Sequence, residues 1–202
     1  HGQKIVESAK KSGIEPQVFV DNNSKEFLEM WSQLNVKNDQ FIRTTDEKHK
    51  SCVQRILQKI FDNDEIFLKE YEGLYCVGCE RFLDESELVN ENCPDHQNPP
   101  EFYKEKNYFF RMSEYQDWLL QILKKNEGWI YPVRYRNELI QFLKEPLKDL
   151  CISRPKSRLE WGIELPFDKN YVTYVWFDAL LNYVSALGWL DDNKFKKFWP
   201  NV

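Results

Sequence analysis

Four potential metal ligands lie close together near the middle of the chain. The segment YCVGCERFLDESELVNENCPDHQ contains one Cys-x-x-Cys turn, with Cys76 and Cys79, and one Cys-x-x-His turn, with Cys93 and His96, separated by thirteen residues. Zinc prefers four nitrogen and sulfur ligands in a tetrahedron, and a two-residue spacer directs two such ligands at one point. The spacing therefore predicts a zinc site made of all four side chains.

The predicted zinc is structural. A catalytic zinc keeps one coordination position for water or substrate, whereas four protein ligands fill the tetrahedron. The alternatives are a redox Cys-x-x-Cys pair and a chance cluster of cysteines, but a redox pair begins a helix in a larger apolar fold and needs no second turn. Residues 66–107 are polar and poor in aliphatic side chains. A metal would replace the missing hydrophobic core there.

Composition limits the class of protein. The chain of 202 residues is 42% hydrophobic and carries a formal charge of −5, which disfavours binding nucleic acid by bulk electrostatics. It contains no apolar run long enough to span a membrane, and its five cysteines do not form a disulfide framework of the secreted kind. We therefore expect no membrane, no disulfide partner and a reducing intracellular compartment. The first residues read as the interior of a helix, which suggests a fragment of a longer protein.

Helical periodicity dominates the first third. An apolar stripe ends near Ser12-Gly13, and Pro16 suits the first turn of a second helix. Thr44 and Glu47 have the spacing of a capping box at the start of a third helix. His49 falls on the apolar face of that helix, so a hydrogen-bonded core histidine is favoured over a ligand.

The middle of the chain mixes strands and helices. Alternation in IFLKEYEGLYC predicts a strand that leads into the Cys-x-x-Cys turn. Ser113 with Gln116 has the spacing of a second capping box, and Pro132 suits the start of another helix.

The last third combines a buried strand with a helix. LCISR predicts a strand that ends at Arg154. The alternative to a functional role for Arg154 is an ordinary surface arginine. YVTYVWF is apolar on both faces, as expected of a buried central strand, and it runs into a helix with Asp178 at its N-cap and Gly188 at its end.

Aromatic and small apolar residues gather where that strand meets that helix. They are Trp176, Ala179, Leu180 and Tyr183. Ligands bind beyond the carboxyl ends of strands in open parallel sheets, so these residues could line a pocket, and such a pocket suits a polarizable thioether. Without further information, ordinary core packing is the alternative.

Six stretches of the sequence resemble one family, in order and over essentially the whole chain. They are HGQKI, FIRTTDEKHK, YEGLYCVGCE, NYFFRMSEY, ISRPKSRLEWGIELP and YVWFDALLNYVSALG, and they look like methionyl-tRNA synthetases. The resemblance implies an α/β fold, part of a class I Rossmann-like catalytic domain interrupted by a small zinc-knuckle insertion. The implied division is residues 1–65 and 150–202 for the catalytic domain and 66–149 for the connective-peptide insertion.

The same resemblance implies the activity. Members of the family are cytoplasmic methionine–tRNA ligases that use ATP with Mg²⁺ to make methionyl adenylate and then charge tRNA(Met). It assigns Trp176, Ala179, Leu180 and Tyr183 to the methionine side-chain pocket. It assigns Arg154 to the arginine that pairs with an active-site aspartate and meets the acceptor end of the tRNA.

Two of the family's signatures, His-Ile-Gly-His and Lys-Met-Ser-Lys-Ser, do not occur in these 202 residues. The chain alone is therefore expected to be inactive. The rival hypothesis is a non-catalytic zinc-binding module that binds RNA or a protein. It accounts equally well for the four ligands, but it leaves the apolar strand and helix around Trp176 unexplained.

Overall fold

The computed structural model describes residues 1–189 and 192–199. Three helices open the chain, followed by strands and shorter helices. The helices are α1 (Gln3–Lys11), α2 (Pro16–Gln33), α3 (Glu47–Asp62), α4 (Gln116–Lys125), α5 (Val133–Phe142), α6 (Val175–Leu180), α7 (Asn182–Ser185) and α8 (Asn193–Phe198). The strands are β1 (Ile66–Cys76), β2 (Arg81–Leu83), β3 (Glu101–Phe110), β4 (Leu150–Cys151), β5 (Ser153–Pro155) and β6 (Tyr171–Thr173). The described fold is mixed α/β, as predicted.

The helix boundaries of the first third follow local signals, with one exception. Helix α1 ends beside Gly13, whose φ of 69° is left-handed, and Pro16 is the first residue of α2. The capping box predicted at Thr44 is wrong, because α3 begins only at Glu47, after Asp46. The Thr44 hydroxyl instead accepts a hydrogen bond from the backbone nitrogen of His1, 3.3 Å away.

A four-stranded antiparallel sheet carries the metal-ligand turns. Its strand order is β2-β1-β3-β4, and the β1–β3 ladder runs from the pair Ile66–Phe110 to the pair Tyr75–Glu101. The strand predicted from IFLKEYEGLYC is thus confirmed as β1. Strand β2 pairs only with the last residues of β1, so the Cys-x-x-Cys turn, residues 76–80 and the first of the two predicted metal-ligand turns, is the loop of a β-hairpin.

The strand predicted from YVTYVWF is wrong in extent and in setting. Strand β6 covers only Tyr171–Thr173 and pairs antiparallel with β5, while helix α6 has already begun at Val175. A short run that is apolar on both faces fits a buried helix as well as a buried strand, so periodicity alone could not separate the two.

One hydrophobic core joins helix α3 to the C-terminal third of the chain. Its buried members come from α3, from β1 and from residues 152–165: Val53, Leu57, Ile66, Ile152, Ile163 and Leu165. Burying six such side chains contributes roughly 1.5–3 kcal/mol each. The start of strand β1 and helix α6 therefore pack against the same core.

Helices α4 and α5 follow strand β3 along the chain and contact each other. The predicted helix after Pro132 is confirmed, but the capping box at Ser113 and Gln116 is wrong. The Ser113 hydroxyl donates to Asp149, and the Gln116 amide nitrogen donates to the carbonyl of Leu143. Long-range partners have replaced the local cap.

No helix among the described residues is long and apolar enough to cross a membrane.

Candidate functional site

The four predicted metal ligands lie together. Cys79 Sγ is 3.3 Å from His96 Nδ1 and 3.5 Å from Cys93 Sγ, and Cys76 Sγ is 3.8 Å from His96 Nδ1. The four ligand atoms lie within 4.8 Å of one another. Zinc bonds of about 2.3 Å to sulfur and about 2.0 Å to nitrogen imply tetrahedron edges of about 3.5–3.8 Å. The cluster thus has the size and the donor set to hold one zinc ion.

Local backbone geometry brings the two turns together. Cys76 ends strand β1, and the turn after it folds back so that the Cys79 amide donates to Cys76 Sγ at 3.4 Å. The second turn is closed by the Gln97 amide, which donates to the carbonyl of Cys93. Two of the candidate ligands, Cys76 and Cys93, form a small buried cluster with Leu83. As predicted, few aliphatic groups surround this site.

Gly78 allows the two turns to approach. A Cβ atom at this position would lie 2.4 Å from Cδ2 and 2.7 Å from Nε2 of His96, far inside van der Waals contact. The imidazole therefore packs directly on the glycine backbone. A larger residue here would displace the histidine ring from its present position.

The thiols of the cluster differ in acidity. Burial raises the pKa of Cys93, but hydrogen bonds with His96 and Cys76 outweigh burial, so the pKa of Cys93 lies below its ordinary value. Burial and the neighbouring thiols raise the pKa of Cys79. A metal binds the thiolate form, and the hydrogen bonds with His96 and Cys76 favour that form at Cys93.

The predicted pocket residues share one face of α6 and α7. Trp176, Ala179, Leu180 and Tyr183 follow a spacing of three, one and three residues, which places them in line on a helix. Trp176, Leu180 and Tyr183 are 51%, 60% and 65% exposed, although all three are large and apolar. The opposite face packs against the core through Phe177 and Leu181.

Asp178 belongs to the buried face of α6, so the N-cap predicted for it is wrong. Its carboxylate is fully buried and meets two imidazoles, His1 Nδ1 at 2.7 Å and His49 Nε2 at 2.9 Å. His49 Nδ1 lies 2.8 Å from the Ser185 hydroxyl. The prediction of a hydrogen-bonded core histidine at position 49 is confirmed. The network as a whole was missed, because its hydrogen-bonded pairs are 129 to 177 residues apart in sequence.

Arg154 is buried, which contradicts the surface alternative. It is 2% exposed, and its guanidinium lies over the rings of Tyr174 at 4.3 Å and Tyr75 at 5.1 Å. It donates to the carbonyl of Ser153 and to Cys151 Sγ, while its Nε has no hydrogen-bond partner. No ion pair joins Arg154 to a carboxylate within the described part of the chain. Such a buried cation calls for an anion.

Three polar neighbours of Arg154 are uncharged, while the carboxylates of Glu80 and Glu105 act on it only from beyond ion-pair distance. Burial raises the pKa values of the Tyr75 and Tyr174 hydroxyls and of the Cys151 thiol. All three groups therefore keep their protons at neutral pH, and none of them offsets the charge of the guanidinium.

A cavity of about 700 Å³ connects Arg154 with Trp176. Its wall also includes Tyr174, Phe82 and Lys69. Ala179, Leu180 and Tyr183 lie outside this wall. The structure thus brings Arg154 and Trp176 to one cavity and places the other three residues on the adjoining helix face.

The sequence matches a known family along its whole length. A family model described as tRNA synthetases class I (M) matches residues 1–98 and 85–202. The chain is 50% identical to the methionine–tRNA ligase of Deinococcus radiodurans over 193 residues, covering 93% of this chain and 28% of that protein. It is 45% identical to the methionine–tRNA ligase of Clostridium tetani, covering 99% of this chain and 31% of that protein. The chain therefore spans about a third of these relatives.

The fold agrees with this match. A crystal structure of Mycobacterium tuberculosis methionyl-tRNA synthetase bound by methionyl-adenylate superimposes with a TM-score of 0.90 at 36% identity, covering 99% of this chain and 40% of that chain. The predicted fold class, an α/β piece of a class I synthetase, is confirmed. Since sequence and fold agree over nearly every residue, the chain belongs to the methionyl-tRNA synthetases, within the class I tRNA synthetases.

Proposed function

We propose that this chain is part of a methionine–tRNA ligase, which joins methionine to ATP as methionyl adenylate and then transfers methionine to tRNA(Met). The observation that carries the proposal is the TM-score of 0.90, over 99% of the chain, with a synthetase bound by methionyl-adenylate. Because the chain spans 28% and 31% of two curated relatives, the activity belongs to a protein of their length. The proposed compartment is the cytoplasm.

The proposed methionine side-chain pocket is the outer face of α6 and α7. Trp176, Leu180 and Tyr183 keep large apolar surfaces exposed there, and such surfaces are available to a ligand. A thioether is polarizable and packs well against ring edges, while the small side chain of Ala179 leaves room beside the rings.

Arg154 is proposed to hold an anion at the reacting end of the substrates. Its support is the buried guanidinium with an unpartnered Nε in a cavity that also contains Trp176. A planar, permanently charged guanidinium suits either a carboxylate or a phosphate. By family resemblance the anion is an active-site aspartate, and the acceptor end of the tRNA comes to the same place.

The proposed cofactor of the Cys76, Cys79, Cys93 and His96 cluster is one structural Zn²⁺ ion. Bound zinc would supply no bond-making chemistry, because all four of its positions are taken by protein. It would hold the two turns of the proposed insertion, residues 66–149, between the proposed catalytic segments 1–65 and 150–202. Mg²⁺ would accompany ATP as substrate.

The chain's own residues act by binding and orientation in this proposal. The aromatic face binds the methionine side chain, and Arg154 fixes an anion near it, so that the methionine carboxylate can be held for attack on the α-phosphate of ATP. The phosphate chemistry belongs to the two family signatures absent from these 202 residues. Residues 1–202 alone are therefore expected not to catalyse adenylate formation.

Methionine-dependent exchange of pyrophosphate into ATP tests the proposal in a protein of the relatives' length that contains this chain. Trp176→Ala should raise the KM for methionine by about 5- to 150-fold, which corresponds to about 1–3 kcal/mol of lost apolar contact. Trp118, which is 53% exposed on α4, supplies a matched control, and Trp118→Ala should leave that KM unchanged. No exchange in the unsubstituted protein, or equal effects of the two substitutions, would refute the proposal.

A further inference from the structure

The first metal-ligand turn does more than present ligands. Besides Cys76 and Cys79, this turn contacts two segments far away in sequence, the start of α1 and the start of α6. Glu80, the residue directly after Cys79, takes part in both contacts. It is 8% exposed, which is unusual for a glutamate next to a hairpin loop.

The Glu80 side chain caps helix α1. Its Oε1 accepts a hydrogen bond of 2.7 Å from the backbone nitrogen of Lys4, in the first turn of that helix. The helix has no cap of its own, because Gly2 offers no side chain and the first turn contains no acidic residue. A carboxylate at this end also meets the positive end of the helix dipole. Glu80 thus supplies the missing cap from 76 residues away.

Gly2 makes room for this cap. A Cβ atom at Gly2 would lie 2.5 Å from Glu80 Oε2, and the glycine has a φ of 132°. The carboxylate therefore sits directly on the backbone that leads into α1.

The backbone of the same turn holds helix α6. Trp176 Nε1 donates to the carbonyl of Cys79 at 3.3 Å, and the Tyr174 hydroxyl donates to the carbonyl of Glu80. Cys79 and Glu80 are adjacent, and Glu80 has a left-handed φ of 53°, so the two carbonyls and the Glu80 side chain are oriented by one local conformation. Moving Glu80 must also move the acceptor of the Trp176 indole.

The two helices are also joined to each other. His1, just before α1, lies 2.7 Å from Asp178 of α6 through Nδ1 and Oδ2. The turn, the start of α1 and the start of α6 thus form a closed three-way junction. In a closed junction, loosening one link changes the freedom of the remaining segments.

We propose that Glu80 is a positioning residue for the methionine pocket. Its carboxylate clamps α1 to the first metal-ligand turn, and that turn in turn holds the indole of Trp176 at the angle at which it meets methionine. Neither the metal spacing nor the family resemblance singled out this residue. The inference rests on the proposed function, because it takes Trp176 as part of the methionine pocket.

The test compares three substitutions of Glu80 in a protein of the relatives' length. Glu80→Ala removes the acceptor and should raise the KM for methionine by about fivefold to tenfold, the effect of losing one helix cap, with little change in the KM for ATP. Glu80→Gln keeps an oxygen acceptor and should remain within about twofold of the unsubstituted protein. Glu80→Asp withdraws the carboxylate oxygen by one methylene, so its KM for methionine should lie between those of Glu80→Ala and Glu80→Gln. It replaces Glu80→Ala in the comparison if Glu80→Ala does not fold.

Glu87→Ala is the matched control, because Glu87 bonds Arg81 and the Asp84 backbone in the same insertion. It should leave the KM for methionine unchanged, and zinc content measured by elemental analysis should be the same in all variants. A lower melting temperature for Glu80→Ala with an unchanged KM for methionine would overturn the proposal. So would a KM increase for Glu87→Ala as large as that for Glu80→Ala, or a failure of Glu80→Gln to restore binding.

Hydrogen–deuterium exchange without substrates separates this proposal from the enzymatic one. Glu80→Ala should speed exchange at least fivefold in the first turn of α1 and in α6, and Glu87→Ala should change neither segment. Unchanged exchange in α6 would overturn the positioning role even if the enzyme is active. If the unsubstituted protein showed no methionine-dependent exchange of pyrophosphate into ATP, the proposed function would be refuted. The hydrogen–deuterium exchange rates in α1 and α6 would still decide whether Glu80 couples the two helices.

Discussion

Replacing Gly78 by alanine should expel His96 from the metal site. The added Cβ would lie 2.4 Å from Cδ2 of the imidazole, about 1 Å short of ordinary van der Waals contact, which begins near 3.4 Å. The obstacle is the ring of a proposed ligand, so relief of the clash moves the ring. Metal–ligand distances tolerate changes of only about 0.2 Å. A displacement of this size would therefore prevent the proposed bond from His96 to the metal.

The expected magnitude follows from the ligand count. Structural zinc contributes about 10–16 kcal/mol at neutral pH, so one of four ligands accounts for roughly 3 kcal/mol. Its loss should weaken zinc binding by about 100-fold. Competition with a chromophoric chelator measures that change, and elemental analysis should find one zinc per unsubstituted chain.

A second glycine in the same proposed insertion provides the control. A Cβ atom at Gly128 would meet nothing within 4 Å, so Gly128→Ala should leave zinc affinity unchanged. Equal zinc affinity in Gly78→Ala and the unsubstituted protein would show that the ring does not bind the metal from its present position. Reduced affinity in Gly128→Ala would show that the test responds to glycine loss in general.

Two further substitutions test buried polar contacts by urea unfolding. Glu105→Ala should lower the free energy of unfolding by about 3–5 kcal/mol, because it leaves the Arg158 cation unpaired. The Glu105–Arg158 ion pair is 2.7 Å long and nearly buried, with side-chain exposures of 10% and 9%. Glu70→Ala, which removes an exposed partner of Lys104, should barely change the unfolding midpoint, and similar shifts for both variants would contradict the reasoning. His49→Phe should cost about 1–3 kcal/mol because it leaves the buried Asp178 with one donor fewer, whereas no loss would show that the hydrogen bond at 2.9 Å is unimportant.

Several features were predictable because their causes are local. The spacing of Cys76, Cys79, Cys93 and His96 reflects how short turns direct ligands at one point, and the structure brings their ligand atoms within 4.8 Å. Pro16 begins a helix because its ring suits the first turn. The alternating pattern of β1 likewise survives, since side chains of a strand point to opposite faces in turn.

Other features were mispredicted because distant partners outweighed local ones. Asp178 has the residue type of an N-cap, but two imidazoles from other segments make its burial favourable inside α6. Thr44 and Ser113 each found a partner outside the predicted capping box, His1 and Asp149 respectively. A capping box is worth only about 1 kcal/mol, so tertiary contacts readily displace it.

The sequence by itself determined the four candidate metal ligands, the family and the order of most elements, because these depend on residue type and short spacing. Only the tertiary structure decided that Arg154 is buried without an anionic partner in the described chain, and that Glu80 caps α1 while its turn holds Trp176. The contacts that the turn makes through Glu80 and Cys79 join residues 76 and 97 positions apart in sequence. Spacing along the chain does not encode such distances, since the packing of helices and sheet brings the groups together only after folding.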